Sequence, residues 1–327
     1  MIPWTAGPDG VGQDGTGRDG WNGTGPDGGD RDGEGAVTFS LVARDDDGRT
    51  FGVATASKYL AVGATVPAVA AGVGALATQA STNVLFRDAG LRLLRQGRTA
   101  PRTVELLVAG DPGRTERQVA VVAATGPPGA WTGEGCSDVA CHLVGDGVVA
   151  AGNLLADEAV LPAMLRASQG ATGTLARRLL AGLAAGDAAG GDRRGRQSAA
   201  LVVASGSGVL QLRTSARVDL RVDDHPAPVP ELARLLDRHE LLVGETDPAA
   251  VVPLRGEVAV RVEGLLAALG RTAGRLPARL QAWAGTENLE HRTLLDGLDP
   301  VLLDELERLA GRAPARAPGP PVPGSTS

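Results

Sequence analysis

Two short runs, Thr38-Phe-Ser-Leu-Val-Ala-Arg44 and Phe51-Gly-Val-Ala-Thr-Ala-Ser57, flank Asp45-Asp-Asp-Gly48 and constrain the fold more than any other part of this chain. Apolar and β-branched residues on either side of an acid-and-glycine turn spell a β-hairpin. The second run leads straight into Lys58, the only lysine in the protein; every other long basic side chain is arginine. A compact, titratable ammonium is the form of positive charge that a catalytic site can tune, whereas a solvated strand-end lysine is the plainer reading.

The rest of the chain must supply a core for this hairpin. Of the 327 residues 43% are hydrophobic but only 2% are aromatic, so Val, Leu and Ala must build that core and let its layers approach closely. The length accommodates one large domain with an appendage, or two domains. A net charge of −6 with no basic stripe argues against a nucleic-acid partner.

Cys136 and Cys141 lie in Gly-Cys-Ser-Asp-Val-Ala-Cys-His without a second ligand pair at zinc spacing, so no metal site and no cofactor is expected. They read as reduced thiols of a cytoplasmic protein, a local disulfide being the alternative. No stretch has the length of a membrane span and the N-terminus has no signal-peptide pattern, so no membrane association is expected.

Residues 1–36 repeat Gly, Asp and Pro without apolar periodicity and are expected to be disordered, or to precede a true start at Val37. Dense apolar patterning begins at Thr38. Further strands are expected at Leu60–Val66, Val73–Thr78, Arg117–Ala124, Ala130–Thr132, Cys141–Val144, Val148–Gly152, Ala199–Ala204, Val209–Arg213 and Val218–Val222. Helices are expected at Leu85–Gln96, from Thr99-Ala-Pro101 to Ala109, and at Asp157–Ser168, Thr172–Ala185 and Glu231–Val243.

This order predicts an α+β domain over residues 37–243, with helices covering a mostly antiparallel sandwich. A linker at 244–253 then precedes a small helical domain at 254–311, with Trp283 as its largest core candidate, and the tail 312–327 is Pro/Ala-rich.

Four segments place polar residues among apolar ones. They are Thr38, Ser57-Lys58, Thr78-Gln-Ala-Ser-Thr-Asn83, and the loop Ala189-Gly-Gly-Asp-Arg-Arg-Gly-Arg-Gln-Ser198. Glycines 190, 191 and 195 permit a tight loop whose backbone donors could face an anion, with Asp192 and Arg194 orienting a substrate. The plainer reading of that loop is a self-satisfied, salt-bridged turn. Thr38 alone could equally be the polar start of a strand.

Taken together, the Thr38–Asp45 run, Gly-Val-Ala-Thr-Ala-Ser-Lys-Tyr-Leu-Ala-Val-Gly63, Gly-Ala-Leu-Ala-Thr-Gln-Ala80, Asp-Pro-Gly-Arg-Thr-Glu-Arg-Gln-Val119, Gly-Asn-Leu-Leu-Ala156 and the 189–201 segment resemble the bacterial domain of unknown function family 1028. The resemblance runs to the Arg221–Pro226 segment. It implies a four-layer αββα sandwich of the N-terminal nucleophile (Ntn) hydrolase type and a homo-oligomer. Trp283–Arg292 with Gly297-Leu-Asp-Pro-Val-Leu-Leu303 resembles the C-terminal, peptidoglycan-binding-like unit that members carry.

On this reading Thr38 is the nucleophile and its own α-amine the base, which requires a chain beginning at Thr38. Lys58 lowers the amine's pKa, and Asp192 and Ser198 complete the catalytic set. Ser57, Gln79, Asn83, Asn153, Arg194 and Gln197 contact a small amide or peptide substrate. The alternative is a non-catalytic binding protein on the same fold, recognising small peptides or peptidoglycan fragments.

Overall fold

A computed structural model describes residues 38–137, 139–206 and 216–312. The expectations for residues 1–36, for Val37 as a start, for a strand at Val209–Arg213 and for the tail beyond Arg312 lie outside the described residues.

The hairpin forms as its sequence dictates. Strands β1 (Phe39–Arg44) and β2 (Thr50–Ser57) pair antiparallel, with Phe39 opposite Ala56 and Arg44 opposite Phe51. The Asp47 carboxylate closes the turn by accepting from the Arg49 and Thr50 amides, and Gly48 takes the left-handed φ of 63° that the turn requires. Along the chain follow β3 (Pro67–Ala70), β4 (Gly74–Ala80), α1 (Leu85–Arg95), α2 (Ala100–Ala109), β5 (Arg117–Ala123), β6 (Gly129–Thr132), β7 (Cys141–Gly145) and β8 (Val148–Gly152). Then come α3 (Val160–Gly170), α4 (Leu175–Ala188), β9 (Ser198–Ser205), β10 (Ala216–Val222) and α5 (Pro228–Val243).

These strands make two antiparallel sheets, ordered β10-β9-β2-β1-β8-β7 and β3-β4-β5-β6. Strand side chains alternate between faces, so each sheet sorts its residues into two sets. Phe39 and Leu41 of β1, with Ala54, Ala56 and Leu201, pack against Leu161, Met164, Leu179, Leu183 and Leu232 of the helices α3, α4 and α5. Val42, Val53, Val149 and Ala151 point the other way and meet Ala75, Ala77, Ala120 and Val122 of the second sheet. The far face of that sheet, through Leu76, Val119 and Val121, carries Phe86, Leu91 and Leu94 of α1 and Val104 and Leu107 of α2. Each fully buried Val, Leu or Phe in these clusters contributes about 1.5–3 kcal/mol of transfer free energy.

The expected strand Leu60–Val66 does not form. Val62–Ala64 is a 3-10 turn entered through Ala61 at φ 53°, and the strand begins only at Pro67. The cause is Ser198, whose hydroxyl donates to Tyr59 O and accepts from the Val62 amide, diverting backbone groups that a ladder would have used.

Beyond α5 lie β11 (Val252–Pro253), α6 (Gly256–Ala268), α7 (Leu276–Thr286), β12 (Thr293–Leu294), β13 (Gly297–Leu298) and α8 (Pro300–Ala310). Their own core gathers Val262, Leu266, Leu280, Trp283, Leu298, Leu302 and Leu306. The three-stranded sheet β11-β13-β12 was not legible in the sequence because each strand has only two residues. Buried Arg292 ties this part to the end of α5 by donating to Glu240 O and Leu241 O while pairing with Asp299. The protein is thus a mixed α/β structure with antiparallel sheets and, among the described residues, eight α-helices. None of the described helices is long and apolar enough to cross a membrane.

Candidate functional site

Strand register brings the polar segments to one end of both sheets. In the larger sheet Ser57 lies opposite Ser198 at the end of β2. Thr38 immediately precedes β1, whose Phe39 lies opposite Gly152, and its carbonyl accepts from the Asn153 amide at 3.2 Å. In the smaller sheet Gln79 lies opposite Gln118, and Gln118 opposite Thr132. Thr38, Ser40, Thr55 and Ser57 fall on the inward-facing positions of their strands, the same parity as Val42 and Val53, and therefore look toward Gln79 and Gln118.

A buried amide or hydroxyl is costly unless paired, and here nearly every group finds a partner. The Thr38 hydroxyl donates to Ser57 Oγ at 3.4 Å. Gln79 Nε2 donates to Thr38 O at 3.2 Å, to Ala151 O at 3.2 Å and to Gln118 Oε1 at 2.7 Å. Ser40 Oγ donates to Gln79 Oε1 at 2.6 Å and lies 2.8 Å from Thr55 Oγ1. Asn153 Nδ2 reaches Gln118 Oε1 at 3.2 Å and Thr38 O at 3.5 Å. Gln118 Nε2 donates to Thr132 Oγ1, Cys141 O and Gly152 O at 2.9–3.0 Å, so one side chain spans both sheets.

The backbone around this end is unusual. Of the non-glycine residues with positive φ among those described, Ala61, Ala80, Val139 and Leu154 all flank it. Ala80 follows Gln79, and Leu154 follows Asn153. A β-branched valine at φ 53° is a rare conformation that persists only where its surroundings impose it, and such positions gather at functional sites.

The Asp192 loop packs at the same end. Buried Asp192 accepts from the Lys58 amide at 2.7 Å and from the Arg194 amide at 2.9 Å, and pairs with the Arg194 guanidinium at 3.1 Å. The Gln197 amide donates to Ser57 O, closing the loop onto β2. Ser198 is wholly buried and committed to the 59–62 turn. Lys58 is exposed, and its ammonium donates to Arg196 O at 3.3 Å, while the Thr38 hydroxyl is held by Ser57. Asn83 sits apart from the Gln79 cluster: its side chain caps the Leu85 amide and faces Asp111, which Arg117 pairs at 2.7 Å.

Sequence reading had missed Ser40, Thr55, Gln118, Thr132 and His142. Alternation does mark Ser40 and Thr55 as inward-facing, but Gln118 becomes visible only once β4 and β5 are paired. His142 Nδ1 is 2.9 Å from Thr132 Oγ1, and burial pushes the imidazole pKa below its ordinary value. Cys136 and Cys141 are free thiols whose pKa burial raises, with Glu116 and Glu158 adding to the effect, so neither is poised as a thiolate. No cluster of three or more metal-ligating side chains occurs among the described residues.

No curated protein matches this chain. The structure is similar to the crystal structure of protein SPO2555 from Silicibacter pomeroyi, described with the DUF1028 family model, at a TM-score of 0.56 and 30% sequence identity. That similarity covers 68% of this chain and 92% of the other. Residues 38–232, from the threonine that heads β1 to a core leucine of α5, match the model of a family of unknown function, and the chain belongs to that family, DUF1028.

Proposed function

We propose that this protein is an amidohydrolase or peptidase of the Ntn type, acting on a small amide or peptide through Thr38. The observation that carries the reading is the position of Thr38: it heads a central strand at the polar end of the sandwich, its hydroxyl on Ser57 and its carbonyl gripped by Gln79 and Asn153. The succession of α1 and α2, the smaller sheet, the larger sheet, then α3 and α4 supports an αββα architecture of that class.

A threonine hydroxyl needs a base, and the α-amine of a chain beginning at Thr38 supplies one with a pKa near neutrality. The amine takes the Oγ1 proton as Oγ1 attacks the carbonyl carbon and then gives it to the leaving amine. Water cleaves the resulting ester and restores the hydroxyl. The amides of Gln79 and Asn153 hold the Thr38 carbonyl and so fix the position of the nucleophile, and Lys58 adds a positive charge to the same end. The C-terminal helical unit, on its likeness to peptidoglycan-binding modules, would present cell-wall peptide fragments. The commitment of Asp192 and Ser198 to structural hydrogen bonds favours the second reading, a non-catalytic binding protein.

The test is a chain released to begin at Thr38 by cleavage of a fusion and assayed on a panel of aminoacyl anilides and short peptides. Hydrolysis should appear only with the free terminus, persist in Thr38→Ser and fall by at least about a hundredfold in Thr38→Ala. Equal turnover in the freed wild type and Thr38→Ala would leave the binding reading in its place.

A further inference from the structure

Beside the Thr38 end, but opening outward, lies a cavity of about 430 Å³ lined by Lys58, Gly195, Arg196, Gln197, Asp224 and His225, with Pro226 at its edge. Its charges are not used up by the fold. The Lys58 ammonium makes no ion pair among the described residues, only the 3.3 Å bond to Arg196 O. Asp224, exposed in the same lining, has no hydrogen bond or ion pair among the described residues. Two other charges nearby are paired, Arg196 with Asp187 at 2.6 Å and Asp192 with Arg194. His225 is held by its amide on Gln197 O at 2.8 Å and by Nδ1, which accepts from the Ala227 amide at 3.0 Å. That bond places the neutral ring's hydrogen on Nε2, where it can donate.

One cation and one carboxylate that line a single cavity without pairing with each other match a ligand carrying the complementary charges. We infer that this cavity binds a small zwitterion, a free α-amino acid or a dipeptide, with its carboxylate on Lys58 and its ammonium facing Asp224. A lysine ammonium suits a single carboxylate because its three donors can rotate to meet it. The rigid frame comes from the Asp192 loop, whose Gly195 at φ 115° leaves the rim free of a side chain. The site requires no catalysis at Thr38, so its test is separate from hydrolysis.

The sole lysine also provides the reporter. Labelling with ¹⁵N-lysine gives one backbone amide signal, that of Lys58, whose hydrogen bond to Asp192 frames the cavity. Titrating the full-length protein with Ala-Ala should move this signal saturably. By calorimetry, acetylating the amine or amidating the carboxylate of Ala-Ala should weaken binding about three- to tenfold each. Asp224→Asn should abolish the preference for the free amine, and Lys58→Gln the preference for the free carboxylate, without moving the melting temperature. No shift and no heat at millimolar dipeptide, or equal binding of free and blocked forms, would overturn the inference. So would inorganic phosphate binding as tightly as Ala-Ala and indifferently to Asp224→Asn, which would make the cavity a plain anion site.

Discussion

Gln79 and Gln118 face each other across β4 and β5 and join head to tail, Gln79 Nε2 donating to Gln118 Oε1 at 2.7 Å. Through this pair the carbonyl of Thr38, in one sheet, is tied to Thr132 in the other. Two neutral amides suit the task because each donates and accepts at once, so the chain needs no buried charge.

Gln118→Leu removes the acceptor for Gln79 and Asn153 and the donor for Cys141 O and Gly152 O. At about 1–3 kcal/mol for each buried group left unsatisfied, a loss of about 2–4 kcal/mol is expected after partial compensation. Urea unfolding measures it. A change below about 0.5 kcal/mol would show that the amide chain does not hold the sheets together.

The half-buried imidazole of His142 predicts a pH dependence of stability. Its folded pKa lies below the ordinary 6.5, so the unfolded chain binds the proton more readily. Stability should therefore rise with pH between that lowered value and 6.5, and be flat with respect to this group above it. Comparing urea midpoints from about pH 5 to about pH 7.5 should show this rise in the wild type and its disappearance in His142→Gln.

Gly182 of α4 packs tightly against both the larger sheet and α3. A Cβ there would press on Leu41 Cδ1 and lie 2.8 Å from Met164 O and 2.9 Å from Ser168 Cβ. Gly182→Ala should destabilise by about 1–3 kcal/mol despite alanine's better helix propensity, because overpacking outweighs a gain of about 1 kcal/mol. Gly285→Ala, in α7 with open space at the same position, should be neutral or stabilising in the same thermal melt.

Arg292 predicts how firmly the C-terminal helices are held. Arg292→Met strands the Asp299 carboxylate and frees two carbonyls of α5. Losing one partner of a buried pair costs about 3–5 kcal/mol. Limited proteolysis should then cut the 246–253 segment several-fold faster than in the wild type. Unchanged cleavage would mean that apolar contacts alone hold the C-terminal part.

Local chemistry by itself determined the hairpin of β1 and β2, because alternation and the Asp-Gly turn act over a few residues. The same holds for α1, α2 and the Trp283 core, which 3.6-residue periodicity and the proline starts announce. It also singled out Thr38, Ser57 and Gln79 as polar residues in apolar company, and hydrogen bonds join these with Asn153 at one end. Tertiary structure decided the rest. Ser198 looked available for chemistry until the 59–62 turn claimed its hydroxyl, which also cancelled the expected strand at Leu60. Asn83 was grouped with Gln79 by nearness in sequence, yet it turns to Asp111. Gln118 resembled any polar residue near a strand start until pairing of β4 and β5 set it against Gln79, and sheet stacking set it against Gly152. A hydrogen bond between residues 39 apart, as in the Gln79–Gln118 pair, depends on register and on the contact of two sheets. Neither is encoded in a local pattern, because both arise only when distant apolar faces bury one another.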